Sequence, residues 1–394
     1  MSRAPHDFRR AQLAVAALFC TLGFQYATWA ARLPDIKARL GLSEAEVGLL
    51  LMACGVGGVL SFSLVPVLTK RLGSRRLALF SALYMGVLLI ALAVAPNYPT
   101  ALVIMCGDGI GAGALNVAMN AQGAALESRF RRTTMSRLHA TFSGGALLGA
   151  VLASGATSLT PAVLVHFVLA AALILLLTTY ARRGLLADAP PPEEPAPAKA
   201  RRGLPVPTRL TVWMGCAMVF GTVTEASITD WSALYLKDVV SAPPQLVPMG
   251  VAVASVTMVT ARVFADGWRS RWGDGLVVRA GSVLAGVGLG LALLTGGLIP
   301  TLLGFACVGI GIAAVTPCIY VAAARQGTDA LALVASMGTT GLLAGPPIIG
   351  FIAGASSLVW GMGAVVVAAL LVCVCATWIR WPAPAVEGTS APAP

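Results

Sequence analysis

Apolar residues run through this chain in long blocks without alternation, and short polar interruptions separate the blocks almost from end to end. Twelve blocks stand out, at residues 11–31, 47–69, 77–95, 100–126, 138–157, 161–180, 211–236, 247–264, 277–298, 300–324, 331–352 and 357–379. About 20 apolar residues are what a helix needs to cross roughly 30 Å of hydrocarbon. A barrel strand needs only about 9 to 11 and alternates, so the blocks predict membrane-spanning helices. The pattern therefore predicts an all-α membrane protein with twelve transmembrane helices. The first block follows basic residues as a signal sequence does, but it is too long for an h-region and ends in Trp29-Ala30-Ala31-Arg32 without a small-residue cleavage site. It reads as a retained helix.

The longest polar interruption contains Ala189-Pro190-Pro191-Pro192-Glu193-Glu194-Pro195-Ala196-Pro197, a stretch that cannot build a core and favours polyproline II. It divides the chain into an N-terminal six-helix bundle (1–180), a cytoplasmic linker (181–210), a C-terminal six-helix bundle (211–380) and a disordered tail (381–394). The halves echo one another. Lys70-Arg71-Leu72-Gly73-Ser74-Arg75-Arg76 after span 2 answers Asp266-Gly267-Trp268-Arg269-Ser270-Arg271-Trp272-Gly273 after span 8, and Gly145-Ala146-Leu147-Leu148-Gly149 answers Gly341-Leu342-Leu343-Ala344-Gly345. Two parallel six-helix halves around a midplane cavity are one architecture of secondary transporters.

Charge sharpens the topology. Of 27 basic residues, 23 fall at the chain ends, in alternate gaps or, for Arg262 and Arg279, at the block ends that face such a gap, leaving Arg32, Lys37, Arg39 and Lys237 on the other side. That bias predicts cytoplasmic termini and a multi-pass protein of the cell's inner or plasma membrane. It also accounts for the net charge of +11 without nucleic acid, whose binding would need aromatics interleaved with the basic residues on a soluble face. The eight cysteines all lie within spans, no CxxC occurs and there are only three histidines, so neither a disulfide framework nor a metal site is expected. No GxxxxGK[ST] is present and no cofactor is implied; ATP is not expected to drive the protein.

Ionisable groups inside spans carry the functional information, because they are costly there. Glu225 lies midway along span 7 among Thr222, Thr224, Ser227 and Thr229, with no basic residue in the span before Lys237. A lone carboxyl in hydrocarbon suits proton binding and release, or recognition of a solute; a structural acid bonded to a neighbouring helix is the competing reading. Asp230 is turned about 140° from Glu225, so its role should differ. Arg32, at the outer end of span 1, lies at a depth comparable to Asp230. The two are expected to form an outer-gate salt bridge, with Lys237 as the competing partner and a static anchor as the alternative.

Span 4 carries Asp108, Asn116, Asn120 and Gln122. Asn116 and Asn120 are i, i+4 neighbours facing either a solute or another helix, and Asp108, about 80° from Asn116, is a second candidate for proton coupling. Gln25, Trp29 and Arg32 form an i, i+4, i+7 stripe on span 1, and Trp231 and Tyr235 an i, i+4 pair on span 7. These aromatics belong either to a cavity wall or to the interfacial belt. The candidate substrate cavity is Gln25, Trp29, Asn116, Asn120, Glu225, Trp231 and Tyr235. His139 opens span 5 among Arg131, Arg132 and Arg137 and reads as structural. Glycine runs in spans 2, 5 and 11 permit close packing.

With these residues in view, the whole chain resembles the major facilitator superfamily. The two basic loops are similar to its repeated signature. In the first, Pro66 and Lys70 replace the usual Gly and Asp, leaving Arg71, Gly73 and Arg75; the second keeps Arg262, Asp266 and Gly273, so the family's inner-gate role falls more fully there. Trp29-Ala30-Ala31-Arg32-Leu33-Pro34, Asn116-Val117-Ala118-Met119-Asn120, Phe142-Ser143-Gly144-Gly145, Asp230-Trp231-Ser232-Ala233-Leu234-Tyr235-Leu236 and Gly345-Pro346-Pro347 resemble a bacterial branch often labelled fucose-permease-like. That branch commonly has Asp at the position of Asn116. Met105 stands where the superfamily's span 4 Arg is expected, and span 5 lacks the Gly-Pro signature of drug/proton antiporters.

Residues and resemblance together point to a monomeric, proton-coupled secondary transporter in the lipid bilayer, with a small polar, sugar-like solute and protons as its partners. Efflux of an amphiphilic drug or metabolite is the alternative. A non-transporting receptor is less favoured, and an enzyme least, since no nucleophile pairs with a base.

Overall fold

The computed structural model describes residues 3–132, 134–187 and 208–381; residues 188–207 of the expected linker and 382–394 of the expected tail lie outside them. Every regular element described is helical: α1 (Arg3–Ala31), α2 (Leu33–Leu40), α3 (Glu44–Ala93), α4 (Tyr98–Phe130), α5 (Met135–Leu159), α6 (Val163–Arg182), α7 (Arg209–Asp238), a 3-10 turn (Pro244–Leu246), α8 (Met249–Trp272), α9 (Asp274–Thr295), α10 (Leu298–Ile312), α11 (Val315–Ala324), α12 (Thr328–Ala355) and α13 (Leu358–Trp378). Among the described residues, eleven helical segments are long and apolar enough to cross a membrane, with the 50-residue α3 counted once.

Local chemistry sets the breaks. In α3 the backbone leaves helical geometry at Gly73 (φ 74°, ψ 164°), and Gly273 (φ 78°, ψ 152°) adopts nearly the same conformation between α8 and α9. Positive φ favours glycine, so the two basic loops that echo in sequence also share a backbone requirement. Ser43 and Glu46 form a capping box that starts α3. The span at 300–324 is interrupted at Ala313 and Ala314, giving α10 and α11. One helix escaped the apolar pattern. The segment holding Lys37 and Arg39 is the short α2, with Pro in its first turn and Gly41 in the left-handed conformation closing it. Leu33 and Ile36 are buried, while Arg39 donates to the carbonyls of Leu92 and Ala95.

The outward surface is apolar: Phe62, Phe80, Val103, Leu176, Leu294 and Trp360 are each more than half exposed. Lipid covers such a surface, and helices satisfy their own backbone groups there. Inside, helices meet through small residues. A Cβ on Gly57 would run into the Cys106 carbonyl, and one on Gly109 into that of Cys54, so α3 and α4 approach backbone to backbone.

Helices α1–α6 pack mainly among themselves, as do α7–α13; across the two groups α3 packs on α12, α5 on α8, and α1 and α2 on α7. The end of the molecule with α2 is called here the α2 end, and the end with Gly73 and Gly273 the basic end. Several cross-contacts cluster toward the α2 end. Gly48 of α3 lies against Pro346 and Gly350 of α12, where an added Cβ would come 2.7 Å from the Pro346 oxygen. Ala146 and Ala150 of α5 meet Val251 and Ala252 of α8. Ser154 donates to the Gln245 carbonyl at 2.5 Å, and Lys37 of α2 pairs with Asp238 of α7 at 2.7 Å.

Candidate functional site

Between the two helix groups lie two cavities of ≈ 330 Å³ each, sharing Tyr26, Phe142, Ala226 and Leu342 as common wall. The first is bounded chiefly by α1, α3 and α4. It receives Gln25, Trp29, Asp108 and Asn116 from that side and Asp230 from α7. The second is bounded chiefly by α7, α8 and α12, and holds Glu225 and Arg262 with a set of hydroxyls that includes Ser143, Thr229, Thr316 and Tyr320.

Two consecutive residues of α1 organise the first chamber. Gln25 Nε2 donates to Asp108 Oδ1 at 2.7 Å, and Tyr26 Oη donates to Asp230 Oδ1 at 2.7 Å. Both carboxylates are 4% exposed, both bond to neutral donors, and no Lys, Arg or His lines this chamber. Each buried carboxylate comes from a different helix group, α4 or α7, and α1 reaches both because residues i and i+1 point about 100° apart. Gln25 Oε1 is buried without a hydrogen-bond partner, and Trp29 Nε1 faces Asp108. An unpaired buried polar atom is costly, so a chamber containing such an acceptor is suited to a polar ligand.

The second chamber is different. Arg262 Nη2 donates to Glu225 Oε1 at 2.8 Å, and Arg262 Nη1 reaches Ser143 Oγ of α5 at 3.4 Å. The expectation that Glu225 stands without a cationic partner is therefore corrected: the partner comes from the adjacent span, which inspection of span 7 alone could not reveal. Arg262 likewise is not a loop residue. It sits within α8 on the chamber wall, whereas Asp266 is exposed near the basic end, 3.1 Å from Arg269, and Arg269 in turn holds Asp274 at 2.8 Å. In the first loop, Arg75 donates to the Arg182 carbonyl, and Arg71 and Gly73 lie at the break in α3.

Arg32 and Asp230 do not form the expected outer gate, although the α2 end is closed. Arg32 points into its own helix group, donating to Thr157 Oγ1 at 2.6 Å and the Pro161 carbonyl at 2.8 Å, with Asp35 3.3 Å away. Asp230 instead meets Tyr26, six residues before Arg32 on α1, so the comparable depth was not met either. Lys237 does not reach Asp230 either; it donates to the Pro34 carbonyl at 3.2 Å. The ion pairs that join the groups at this end are Lys37 with Asp238 at 2.7 Å and, more loosely, Lys237 with Asp35 at 4.0 Å.

Trp231 and Tyr235 also depart from expectation. Both are essentially fully buried in the main core, Tyr235 edge-on to Phe305 at 6.2 Å, and neither lines a chamber. An i, i+4 aromatic pair marks one helix face, and that face packs on α10. Asn120 turns to its own helix, donating to Asn116 Oδ1 at 2.7 Å, and only Asn116 of the pair reaches the cavity. Gln122 bonds Ser74 and the Leu186 backbone near the basic end. His139 lies against Phe19. Tyr26 was missed by the sequence reading. Its signal was present, since a phenol next to Gln25 and three residues before Trp29 falls on the same broad face of span 1.

Residues 13–329 match the model of the Major Facilitator Superfamily. The chain is 31% identical over 367 residues to an uncharacterised MFS-type transporter of Yersinia pestis, covering 92% of this chain and 94% of that one. It is 32% identical to an uncharacterised transporter of Sinorhizobium fredii (87% and 91% covered) and 30% identical to the membrane protein MosC of Rhizobium meliloti (88% and 84%). Among solved structures it superposes on the nucleoside transporter NupG, in its D323A form, with a TM-score of 0.75 at 13% identity (95% and 100% covered). On a D-xylose-proton symporter the TM-score is 0.74 at 14% identity (94% and 98% covered). The chain belongs to the major facilitator superfamily. It is a membrane-spanning transporter of that class, built from multiple apolar helices.

Proposed function

We propose that the protein is a proton-coupled secondary transporter of a small polar organic solute, working by alternating access between two six-helix bundles with twelve crossings in all. The observation that carries the reading is the first chamber, where Asp108 and Asp230 are buried with no basic residue on the wall. A carboxylate there must be neutralised by a proton or by its cargo before it is carried through hydrocarbon, where an uncompensated charge costs about 3 kcal/mol or more. Asp108 and Asp230 are the proton sites in this reading, and Glu225 acts as the counter-ion that keeps Arg262 from being an orphan charge in the adjoining chamber. The positive-inside bias makes the basic end and both termini cytoplasmic. With the seal at the α2 end and Asn116 and Arg262 exposed, the conformation is then open to the cytoplasm. The hydroxyls of the second chamber suit a hydroxylated, sugar-like solute. Its apolar lining, Ile228, Met258 and Val308, keeps efflux of an amphiphile as a second reading.

The test is proton flux in proteoliposomes. An imposed pH gradient should drive accumulation of a polar solute, and Asp108→Asn should abolish that gradient-driven accumulation. Solute flux indifferent to the gradient would refute proton coupling.

A further inference from the structure

The first chamber also says what charge its cargo bears. We propose that the transported solute carries a protonated amine, bound between Asp108 and Asp230, and that ammonium and proton displace one another there. This rests on the transport reading and adds the solute class and the sense of coupling.

Three observations converge. The chamber wall carries two carboxylates and no cation, and the guanidinium of the adjoining chamber, Arg262, is already held by Glu225. A neutral polyol would leave both carboxylates dependent on protons, and an anion would meet like charge. Next, Gln25 Oε1 is a buried acceptor with no donor, because the amide's Nε2 is committed to Asp108. An ammonium has three N–H donors and no acceptor, matching Asp108, Asp230 and this third oxygen. Finally, Tyr26, Trp29 and Phe142 line the same space, and aromatic faces attract cations in desolvated sites.

Charge balance gives the sense of coupling. With the second carboxyl protonated in both loaded states, replacing one proton by one ammonium leaves the occluded chamber neutral, so neither loaded state carries a net charge through hydrocarbon. The protein then exchanges a cationic solute for a proton. Titratable groups around the pair are Tyr26 on α1, Cys54 and Tyr84 on α3, Cys106 on α4 and Glu225 on α7, the last paired with Arg262 of α8. None of them is a cation free to replace the ammonium.

The experiment uses the purified full chain and matched pairs of polyols differing by one amine, beginning with D-glucamine against D-sorbitol, by thermal shift and calorimetry at several pH values. A ligand of the native state raises its Tm. The amine should raise Tm and its neutral partner should not. Affinity should strengthen as pH rises, toward about tenfold per pH unit where protons compete one for one, while the alkyl amine stays charged. Asp230→Asn and Asp108→Asn should each remove the amine's effect; if one fails to fold, the other decides. Equal responses within pairs, responses to neutral members alone, or no response to any amine in the panel would overturn the proposal. Gradient-driven flux of a neutral polyol would do so while leaving the transport reading standing.

Discussion

Asp238→Ala should loosen the seal at the α2 end by about 1 kcal/mol. The Lys37–Asp238 pair spans 2.7 Å, with the two side chains 17% and 32% exposed. Fully exposed pairs are worth roughly 0.2–1 kcal/mol, and partial shielding with short geometry puts this one near the top of that range. Lys37 also holds Glu44 at 2.8 Å, so removing Asp238 leaves no orphan ammonium and adds no further penalty. About 1 kcal/mol is roughly a fivefold change in the ratio of open to closed forms. Partial desolvation works against the Lys37 ammonium, yet its hydrogen bonds to Asp238 and Glu44 prevail and hold its pKa above the usual lysine value. A raised cation pKa means the contribution is complete below the unfolded value of about 10.4 and is lost only as pH rises through the folded one, so the effect should be flat from roughly pH 5 to 9. The assay is alkylation of Cys54, which lines the first chamber, by an impermeant maleimide added to whole cells, with the other cysteines replaced by alanine. Asp238→Ala should label about five times faster in the limit where the open form is rare, and Lys37→Asp with Asp238→Lys should return toward the parent rate. An unchanged rate in Asp238→Ala, or effects of the reversed pair that simply add, would refute the latch.

Arg32→Ala should lower stability by roughly 2–4 kcal/mol, read as a falling Tm, because it strips a buried charge's partners at Thr157 and Pro161 of their donors. Arg262→Ala should cost more transport than Glu225→Ala with Arg262→Ala together, since the single change leaves a carboxylate unpaired; the coupling expected in a double-mutant cycle is about 1–3 kcal/mol. Trp231→Phe should lower Tm yet leave the solute KM within about twofold, because Trp231 sits in the core away from both chambers. A large rise in KM would return it to the cavity wall.

The blocks of apolar residues located the long helices, because hydrocarbon thickness imposes a length that composition alone reveals, although α1 begins eight residues before its block, α8 ends eight after its own, and the blocks 47–69 and 77–95 run together in α3. They could not find α2, whose eight residues bury only Leu33, Pro34 and Ile36 and carry three charges. Asp108, Gln25, Trp29 and Asn116 were recognisable because a polar or amphipathic group inside a span needs a reason to be there. Direction was the harder part. Arg32 turns to α5 and the segment before α6 while Asp230 meets Tyr26, and a linear pattern holds no angle between helices. Glu225 looked solitary for the same reason: its partner is 37 residues away on another helix. The rule that would have paired them is that a lone acid and a lone base, each mid-span in neighbouring helices, cost less together than apart.

The contact of Gly48 with Pro346 and Gly350 is a surface without teeth. Side chains that interlock act as gears, and rotating one helix past another then requires each to leave its socket. Here backbone slides on backbone, and Pro346 and Pro347 present no N–H groups to be pulled from a partner. In the proposed alternating-access cycle such a joint would act as a plain bearing, fixing the axis about which the halves turn while adding little friction to the turn itself. In that cycle the energy that decides which way the cavity faces is left to the ion pairs at the rim and the carboxylates in the chamber, where protons and solute would act on it.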